Sequence, residues 1–363
     1  MVQTLDPIKL WKIGSGEKID IKSVKHVSKK EKEAYEHRRH QHMYSFENSS
    51  NSKDNLNTFR DFVNQSSNVI NPSSFCDKVK DIFKKHRNVS IDVMDVDKLK
   101  EHNLNLVLSV DKISSKMLIC EYRNSDNKSP IVIVGKGVTI DTGGYAIKNN
   151  NAMRNMHLDK TGGVMALYII HELACKRVTD NIVVIVPLVQ NNISHCATKP
   201  GDIVTSYSGL KVEIRNPDAE GRLILADGIS YAIDKYKPRY IIDMGTLTSM
   251  PYCNISYGYF SLSSKIRNII CKSGKDCIQR LYEMPSWPEY KVYTKSNRAD
   301  IMNAEFQCSD PFVCAMFLLC FIPKKYENRW LHINLIGTSV KNELSVLEGS
   351  NSLLTIIQKI MAL

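Results

Sequence analysis

The stretches PIVIVGKGVTI (residues 130–140) and NIVVIVPLV (residues 181–189) decide the fold class of this 363-residue chain. Each contains an unbroken run of aliphatic and β-branched residues, which is typical of a strand that is covered on both faces of a sheet. Between them lies GGVMALYIIHELACK (residues 162–176), whose length and apolar spacing predict a helix. The alternation of strands with helices predicts an α/β fold with a mostly parallel central sheet flanked by helices.

The first part of the chain departs from this pattern. Residues 1–57 are polar and of mixed charge, so we expect a short, atypical and partly flexible N-terminal segment before one large domain at residues 58–363. The Asn/Ser-rich NSSNSKDN (residues 48–55) is typical of a flexible linker. The three histidines of EHRRHQH (residues 36–42) have a spacing that could bind metal, but a solvated basic segment is the better interpretation.

Composition narrows the class of protein. The net charge of +11 permits weak attraction to nucleic acid, but the basic residues are dispersed and form no stripe with interleaved aromatic side chains. Ten cysteines occur without a C-x-x-C pair, as expected for reduced thiols. The chain begins without a signal-peptide pattern, and its longest apolar run, residues 312–322, is too short to span a bilayer. We therefore expect a cytoplasmic protein without membrane contact.

Charged residues gather in two segments that follow predicted strands. In α/β sheets, ligands bind beyond the carboxyl ends of the strands. The first segment follows IVIV, and the second, NPDAEGRLILADG (residues 216–228), follows LKVEI. In the second segment three charged residues occur at every second position, so in an extended chain their side chains would point to the same side. A solvated turn before a helix is the alternative. The residues of interest are Lys136, Asp141, Lys148 and Asp159 in the first segment, and Asp218, Glu220 and Arg222 in the second.

Together these side chains form a denser polar set than a protein buries without a function. Carboxylate-rich sites suit divalent cations, and two such ions can polarise a carbonyl and generate a hydroxide at neutral pH. A lysine among the ligands must be deprotonated, which requires a nearby metal and burial. The sequence therefore predicts a site for two metal ions.

The motifs also carry a resemblance. GKGVTIDTGGYAIK and NPDAEGRLILAD resemble signatures of the leucyl aminopeptidase family, the M17 di-metal exopeptidases, and the similarity continues through CATKPGDIVTSYSG, DMGTLT, MPSWPEY, SNRADIMN and WLHINLIG over roughly residues 58–340. It implies an aminopeptidase that removes N-terminal residues from short peptides by a hydroxide bridging two metals. It also implies a catalytic domain at residues 58–363, zinc or manganese ions, a bound bicarbonate, and a homo-oligomer, either a hexamer or a trimer.

The resemblance assigns roles to individual residues. Lys148 matches the lysine that polarises the scissile carbonyl, and Arg222 matches the arginine that anchors the bicarbonate. The implied metal ligands are Lys136, Asp141, Asp159, Asp218 and Glu220. The implied substrate pocket comprises Met156, Thr246, Leu247, Ser249 and Ile336.

This chain differs from the family pattern at several of these positions. Ser249 replaces the glycine that usually follows TLT, and Asn334 replaces an aspartate in the WLHINLIG segment. Ile336 replaces a small alanine of the pocket, so we expect a narrower pocket and do not assume leucine preference from the resemblance.

Two other functions remain as alternatives. One is a catalytically weak or moonlighting protein on the same fold, such as a nucleic-acid-binding accessory protein. The other is a nucleotide-binding protein, suggested by GSGEK (residues 14–18) and GKG (residues 135–137), but neither completes a phosphate-binding motif. Neither a G-x-S-x-G nor an H-E-x-x-H pattern occurs in the chain.

Overall fold

The computed structural model describes residues 50–125, 128–248, 257–273, 281–285, 287–304, 311–335, 347 and 350–363. Within these residues a nine-stranded sheet forms the centre of the molecule, in the order β1-β2-β5-β3-β8-β12-β9-β10, with β4 paired to β5. Its strands are β1 (Val89–Met94), β2 (Lys116–Tyr122), β3 (Ile131–Gly135), β4 (Gly137–Asp141), β5 (Ile182–Asn191), β8 (Tyr240–Gly245), β9 (Tyr257–Phe260), β10 (Leu281–Glu283) and β12 (Trp330–Asn334).

The central strands of this sheet are parallel. β3 pairs in parallel with both β5 and β8, and β8 pairs in parallel with β12. The β1/β2, β2/β5 and β12/β9 pairs, which lie towards the edges, are antiparallel. Every residue of β3 is buried, and so is nearly every residue of β5. The predicted α/β fold with a mostly parallel sheet is therefore confirmed.

Helices cover both faces of the sheet and divide the core in two. One hydrophobic core includes side chains of α1, α2, α6, α8 and α10, and the other includes side chains of α3, α4, α7 and α9. The helices are α1 (Ser50–Asn64), α2 (Pro72–Phe83), α3 (Val96–Glu101), α4 (Asn105–Val110), α5 (Asn150–Met153), α6 (Thr161–Cys175), α7 (Glu220–Tyr236), α8 (Ser264–Ser273), α9 (Pro311–Leu319) and α10 (Ser350–Met361). Short 3-10 turns occur at Met156–Lys160, Pro288–Thr294 and Lys324–Arg329.

A second, three-stranded sheet lies apart from the central one. Its order is β11-β7-β6, with strands β6 (Asp202–Thr205), β7 (Lys211–Ile214) and β11 (Ile301–Met302). The LKVEI segment contains β7, so the second charged segment follows a strand of this small sheet, whereas the first follows strands of the central sheet. The pairing of β7 with β11, nearly 90 residues later in the chain, decides this placement.

The linker predicted at residues 48–55 is also wrong from Ser50 onwards, because α1 starts there. Phe59 and Phe62 of α1 are fully buried in the core, and the ring of Phe59 packs edge-on against Tyr168 of α6. The burial of these aromatic rings stabilises α1 even though the residues at its start are polar. Residues 1–49, including the histidine-rich patch, lie outside the described residues.

Candidate metal centre

The first charged segment lies at the carboxyl end of the sheet, where β3 passes close to the start of α6. A Cβ atom built on Gly135 would lie 2.6 Å from the carbonyl oxygen of Gly162, so glycines let the end of β3 approach the start of α6. Lys136 follows β3 directly, and Asp141 is the last residue of β4. Asp159 lies in the 3-10 turn that leads into α6. Three of the predicted residues are therefore held by regular elements around one point.

The second charged segment arrives by a different route from the predicted one. Asp218 lies in a turn, whereas Glu220 and Arg222 belong to the first turn of α7. The proposed extended chain with alternating side chains is therefore wrong here. The amino end of α7 is a favourable place for a carboxylate because the helix dipole is positive there.

Two lysines link the carboxylates of both segments. The Nζ of Lys136 lies 2.6 Å from Asp159 Oδ2 and 2.9 Å from Glu220 Oε1. The Nζ of Lys148 lies 2.8 Å from Asp141 Oδ2 and 2.5 Å from Asp218 Oδ1. These contacts form two groups of three side chains, and the oxygens of Asp141, Asp159 and Glu220, which lie within 4.8 Å of one another, bring the two groups together as one cluster.

Burial makes this cluster suitable for a cation. Asp141, Asp159 and Glu220 are at most 5% exposed. Each offers an oxygen within 4.8 Å of the oxygens of the other two, an arrangement that could hold a metal ion. Carboxylate oxygens that lie this close together are suitable ligands for divalent cations such as Zn²⁺ and Mn²⁺. The donor set of the structure therefore fits the predicted metal centre.

The electrostatics of the cluster agree with this fit. Burial, together with repulsion from Asp141, raises the pKa of Glu220 to about 8 and the pKa of Asp218 to about 6. Burial also raises the pKa of Asp159. Burial alone would lower the pKa of Lys136, but attraction from Asp159 and Glu220 outweighs it, so that the pKa is raised. The carboxylates repel one another, and added positive charge would relieve that repulsion.

Two asparagines that the sequence did not single out hold the cluster in place. Asn191, the last residue of β5, donates from Nδ2 to Asp141 Oδ1 at 2.8 Å and to the carbonyl oxygen of Pro217 at 3.1 Å. Asn303 accepts from the backbone N–H of Asn216 at 3.2 Å and thereby shapes the turn before Asp218. The local sequence shows only that Asn191 comes shortly after the apolar run at residues 182–189.

Arg222 is buried next to this turn. Its Nη1 donates to the backbone carbonyl of Asn303 at 2.7 Å. In addition, Gly221 has no side chain at a point where a Cβ atom would lie 2.6 Å from Lys136 Cε. The first turn of α7 therefore accommodates the Lys136 side chain and fixes Arg222 through a single backbone contact.

The predicted pocket residues lie beside the cluster where they are described. Thr246 donates from Oγ1 to Asp159 Oδ1 at 2.5 Å. The backbone N–H of Leu247 donates to Asn334 Oδ1 at 3.3 Å. Met156 is half-buried at the start of the 3-10 turn that contains Asp159. Ser249 and Ile336 lie outside the described residues.

Comparison with known proteins identifies the family. A model of the cytosol aminopeptidase family, catalytic domain, matches residues 57–353. The chain belongs to the cytosol aminopeptidase family. A probable cytosol aminopeptidase of Phytoplasma mali is 34% identical over 303 residues, which make up 81% of this chain and 60% of the relative. A second one, from Legionella pneumophila, is 34% identical over 286 residues, with 77% of this chain and 59% of the relative covered.

Solved structures show the same fold. A leucyl aminopeptidase from Trypanosoma cruzi matches with a TM-score of 0.76 at 23% identity, covering 82% of this chain and 60% of that one. A cytosol aminopeptidase from Coxiella burnetii matches with a TM-score of 0.77 at 22% identity, covering 83% of this chain and 67% of that one. The chain spans about 60% of the length of the curated relatives it matches. Among its described helices, none has the length and apolar character needed to cross a bilayer.

Proposed function

We propose that this protein is a metal-dependent aminopeptidase that removes N-terminal residues from short peptides. The observation that carries the proposal is the buried group formed by Asp141, Asp159 and Glu220, whose oxygens approach within 4.8 Å of one another in a chain of this family. A carboxylate group buried in this way favours metal-assisted hydrolysis over the nucleic-acid-binding alternative, since a divalent cation offsets the cost of burying it and a surface that binds nucleic acid does not require it.

The metal ions that we propose are two divalent ions, Zn²⁺ or Mn²⁺. Bound together, such ions polarise a carbonyl and supply a hydroxide at neutral pH. The side chains that would hold them are Lys136, Asp141, Asp159, Asp218 and Glu220. For Lys136 this requires loss of a proton from an ammonium group that Asp159 and Glu220 now stabilise, so metal binding and deprotonation of Lys136 would occur together.

Two cationic side chains complete the proposed mechanism. Lys148, held between Asp141 and Asp218, would stabilise the negative charge that develops on the oxygen of the scissile carbonyl. Arg222 would anchor a bicarbonate that accepts a proton during attack. The contact of Arg222 with the Asn303 carbonyl holds the guanidinium in place, and a guanidinium has about five N–H donors to share with such an anion.

The substrate pocket that we propose comprises Met156, Thr246, Leu247, Ser249 and Ile336. The hydrogen bond from Thr246 to Asp159 supports it, because it joins the pocket to the metal cluster. Ile336 would narrow the space for the first side chain of the peptide. The Ile336→Ala variant should therefore cleave substrates with bulky first residues better, relative to small ones, than the wild type does; an unchanged preference would remove Ile336 from the pocket.

The remaining features of the proposal concern the whole molecule. We assign catalysis to residues 58–363 and expect a homo-oligomer, a hexamer or a trimer, acting in the cytoplasm. The names of the related cytosol aminopeptidases support the cytoplasmic location. Light scattering coupled to size-exclusion chromatography measures the oligomeric state, and a monomer would contradict the proposal.

The test of activity is hydrolysis of a panel of aminoacyl fluorogenic substrates after loading with Mn²⁺, Zn²⁺ or Co²⁺. The same substrates with an acetylated amine serve as a control, because an exopeptidase of this type requires a free amine. We expect metal-dependent cleavage of free-amine substrates only. Cleavage of none of the panel by the metal-loaded protein would refute the proposal.

Matched variants separate the proposed roles. Asp218→Ala should lose metal and activity, whereas Lys148→Ala should keep metal and lose activity. Asp77→Ala, which removes an exposed carboxylate from α2, is the control for loss of an aspartate and should behave as the wild type. Full activity of Lys148→Ala would show that this lysine has no part in charge stabilisation.

A further inference from the structure

A second group of possible metal ligands lies at the far end of α6. His171 and Cys175 are one helical turn apart on this helix, and His86 lies in the turn that follows α2. Asp159 precedes the first residue of α6, whereas Cys175 is its last residue. A helix of 15 residues is roughly 20 Å long, so this group is separate from the carboxylate cluster.

The three side chains point at one another. The Nδ1 of His171 lies 3.8 Å from Cys175 Sγ. The rings of His86 and His171 have centroids 4.7 Å apart. One ligand atom from each of the three residues lies within 4.8 Å of those from the other two. Ligand atoms around a tetrahedral zinc ion are about 3.3 to 3.8 Å apart, given metal–ligand distances of about 2.0 to 2.3 Å, so small side-chain movements suffice to close the site.

The surroundings resemble a prepared binding site. The rings of Phe59 and Phe83 both pack edge-on against His171, which restricts the orientation of the imidazole. The carboxylate of Glu172 is buried, lies 3.6 Å from His171 Nδ1, and accepts a hydrogen bond from Asn55 Nδ2 at 2.9 Å. The distance of 3.6 Å between His171 Nδ1 and the Glu172 carboxylate is in the range expected for two ligands of one zinc ion.

We propose that His86, His171 and Cys175 bind a zinc ion, with the Glu172 carboxylate as a fourth ligand. Nitrogen and sulfur ligands in this combination select a borderline-soft divalent ion rather than Mg²⁺ or Ca²⁺. A thiolate and a carboxylate together would neutralise the two positive charges of the ion.

Protonation and access are compatible with binding. Burial and the proximity of His171 lower the pKa of His86, which favours the neutral imidazole that a metal ion requires. Zinc has to displace the proton of the Cys175 thiol, because a zinc-bound cysteine is a thiolate. Cys175 is exposed, which leaves the ion a path from solvent.

Zinc at this position would have a structural effect. It would join the turn after α2 to the carboxyl end of α6 and so fix two segments that pack on the same face of the sheet. The stability of the folded protein should then depend on zinc at a site that has no part in the proposed catalysis.

The experiment uses Co²⁺ as a substitute for zinc in the full chain. A thiolate that ligates Co²⁺ produces a ligand-to-metal charge-transfer absorption in the near ultraviolet, and the carboxylate cluster contains no cysteine. We expect this absorption in the wild type and expect Zn²⁺ to displace the cobalt and remove it. His86→Ala should weaken cobalt binding at this site at least tenfold, and Cys175→Ser should abolish the absorption.

The control is Cys271→Ser, which removes another exposed cysteine, from α8. It should keep the full absorption and the same zinc content, whereas Cys175→Ser should contain one zinc ion fewer per chain by elemental analysis. Circular dichroism of each variant establishes that it is folded. Absence of the absorption in the wild type, or its persistence in Cys175→Ser, would overturn the proposal. Since the readout is a sulfur-specific signal, it is independent of whether the protein cleaves peptides.

Discussion

Removal of the Asn191 side chain tests how much the proposed metal centre depends on a residue outside the proposed ligand set. The Asn191 amide donates to Asp141 Oδ1 and to the carbonyl oxygen of Pro217, and so fixes one carboxylate and the turn that leads to Asp218. A hydrogen bond to a charged group contributes about 1.5–3 kcal/mol. Loss of an outer partner of a metal ligand typically weakens metal affinity about 10–100-fold, which corresponds to about 1.4–2.8 kcal/mol. We expect Asn191→Ala to weaken divalent metal binding within this range.

The assay is a competitive titration of Mn²⁺ or Zn²⁺ against a chromophoric chelator. The matched control is Asn192→Ala, because Asn192 is the next residue and its Nδ2 donates to Gln190 Oε1 at 3.3 Å instead of to the cluster. Asn192→Ala should bind metal as the wild type does. Wild-type affinity of the Asn191→Ala variant would show that Asn191 does not position Asp141, and equal weakening in both variants would show a general loss of structure.

Three further predictions concern packing and pH. Gly135→Ala should lower the free energy of unfolding by about 1–3 kcal/mol or more, because the new Cβ would lie 2.6 Å from the Gly162 carbonyl oxygen. A denaturant titration measures this, and an unchanged midpoint would contradict the close approach of β3 and α6. Phe59→Ala should lower the free energy of unfolding by about 3–5 kcal/mol, because Phe59 is fully buried; an unchanged free energy of unfolding would show that the packing of α1 does not stabilise the fold. Burial raises the pKa of Glu220 to about 8 and of Asp218 to about 6, so protons compete with metal ions for these carboxylates. The affinity for divalent metal should therefore fall about tenfold or more from pH 8 to pH 6. A metal affinity that does not change with pH would contradict this competition.

The sequence predicted those features that depend on local pattern. The unbroken apolar runs at 131–134 and 182–189 identified the buried parallel strands, because only strands covered on both faces need no polar alternation. The rule that ligands bind beyond strand ends also brought Lys136 and Asp141 to the correct edge of the sheet.

The errors arose where distant contacts decide the structure. The segment around Asp218 and Glu220 is too short to distinguish a strand from a helix by periodicity, and the burial of α7 against the sheet selects the helix. The polar NSSNSKDN composition predicted a linker, but Phe59 and Phe62 anchor α1 to the core formed with α6. Likewise, nothing in the local sequence distinguishes Asn191 from any other asparagine at the end of a strand.

The central claim is that the buried carboxylates of the cluster bind two metal ions. Anomalous diffraction from crystals soaked in Mn²⁺, recorded near the manganese absorption edge, tests it most directly. The account predicts two anomalous peaks about 3.5–4 Å apart, in contact with Asp141, Asp159 and Glu220. The absence of an anomalous peak among these three carboxylates, in crystals soaked at a manganese concentration that supports peptide cleavage, would contradict the account.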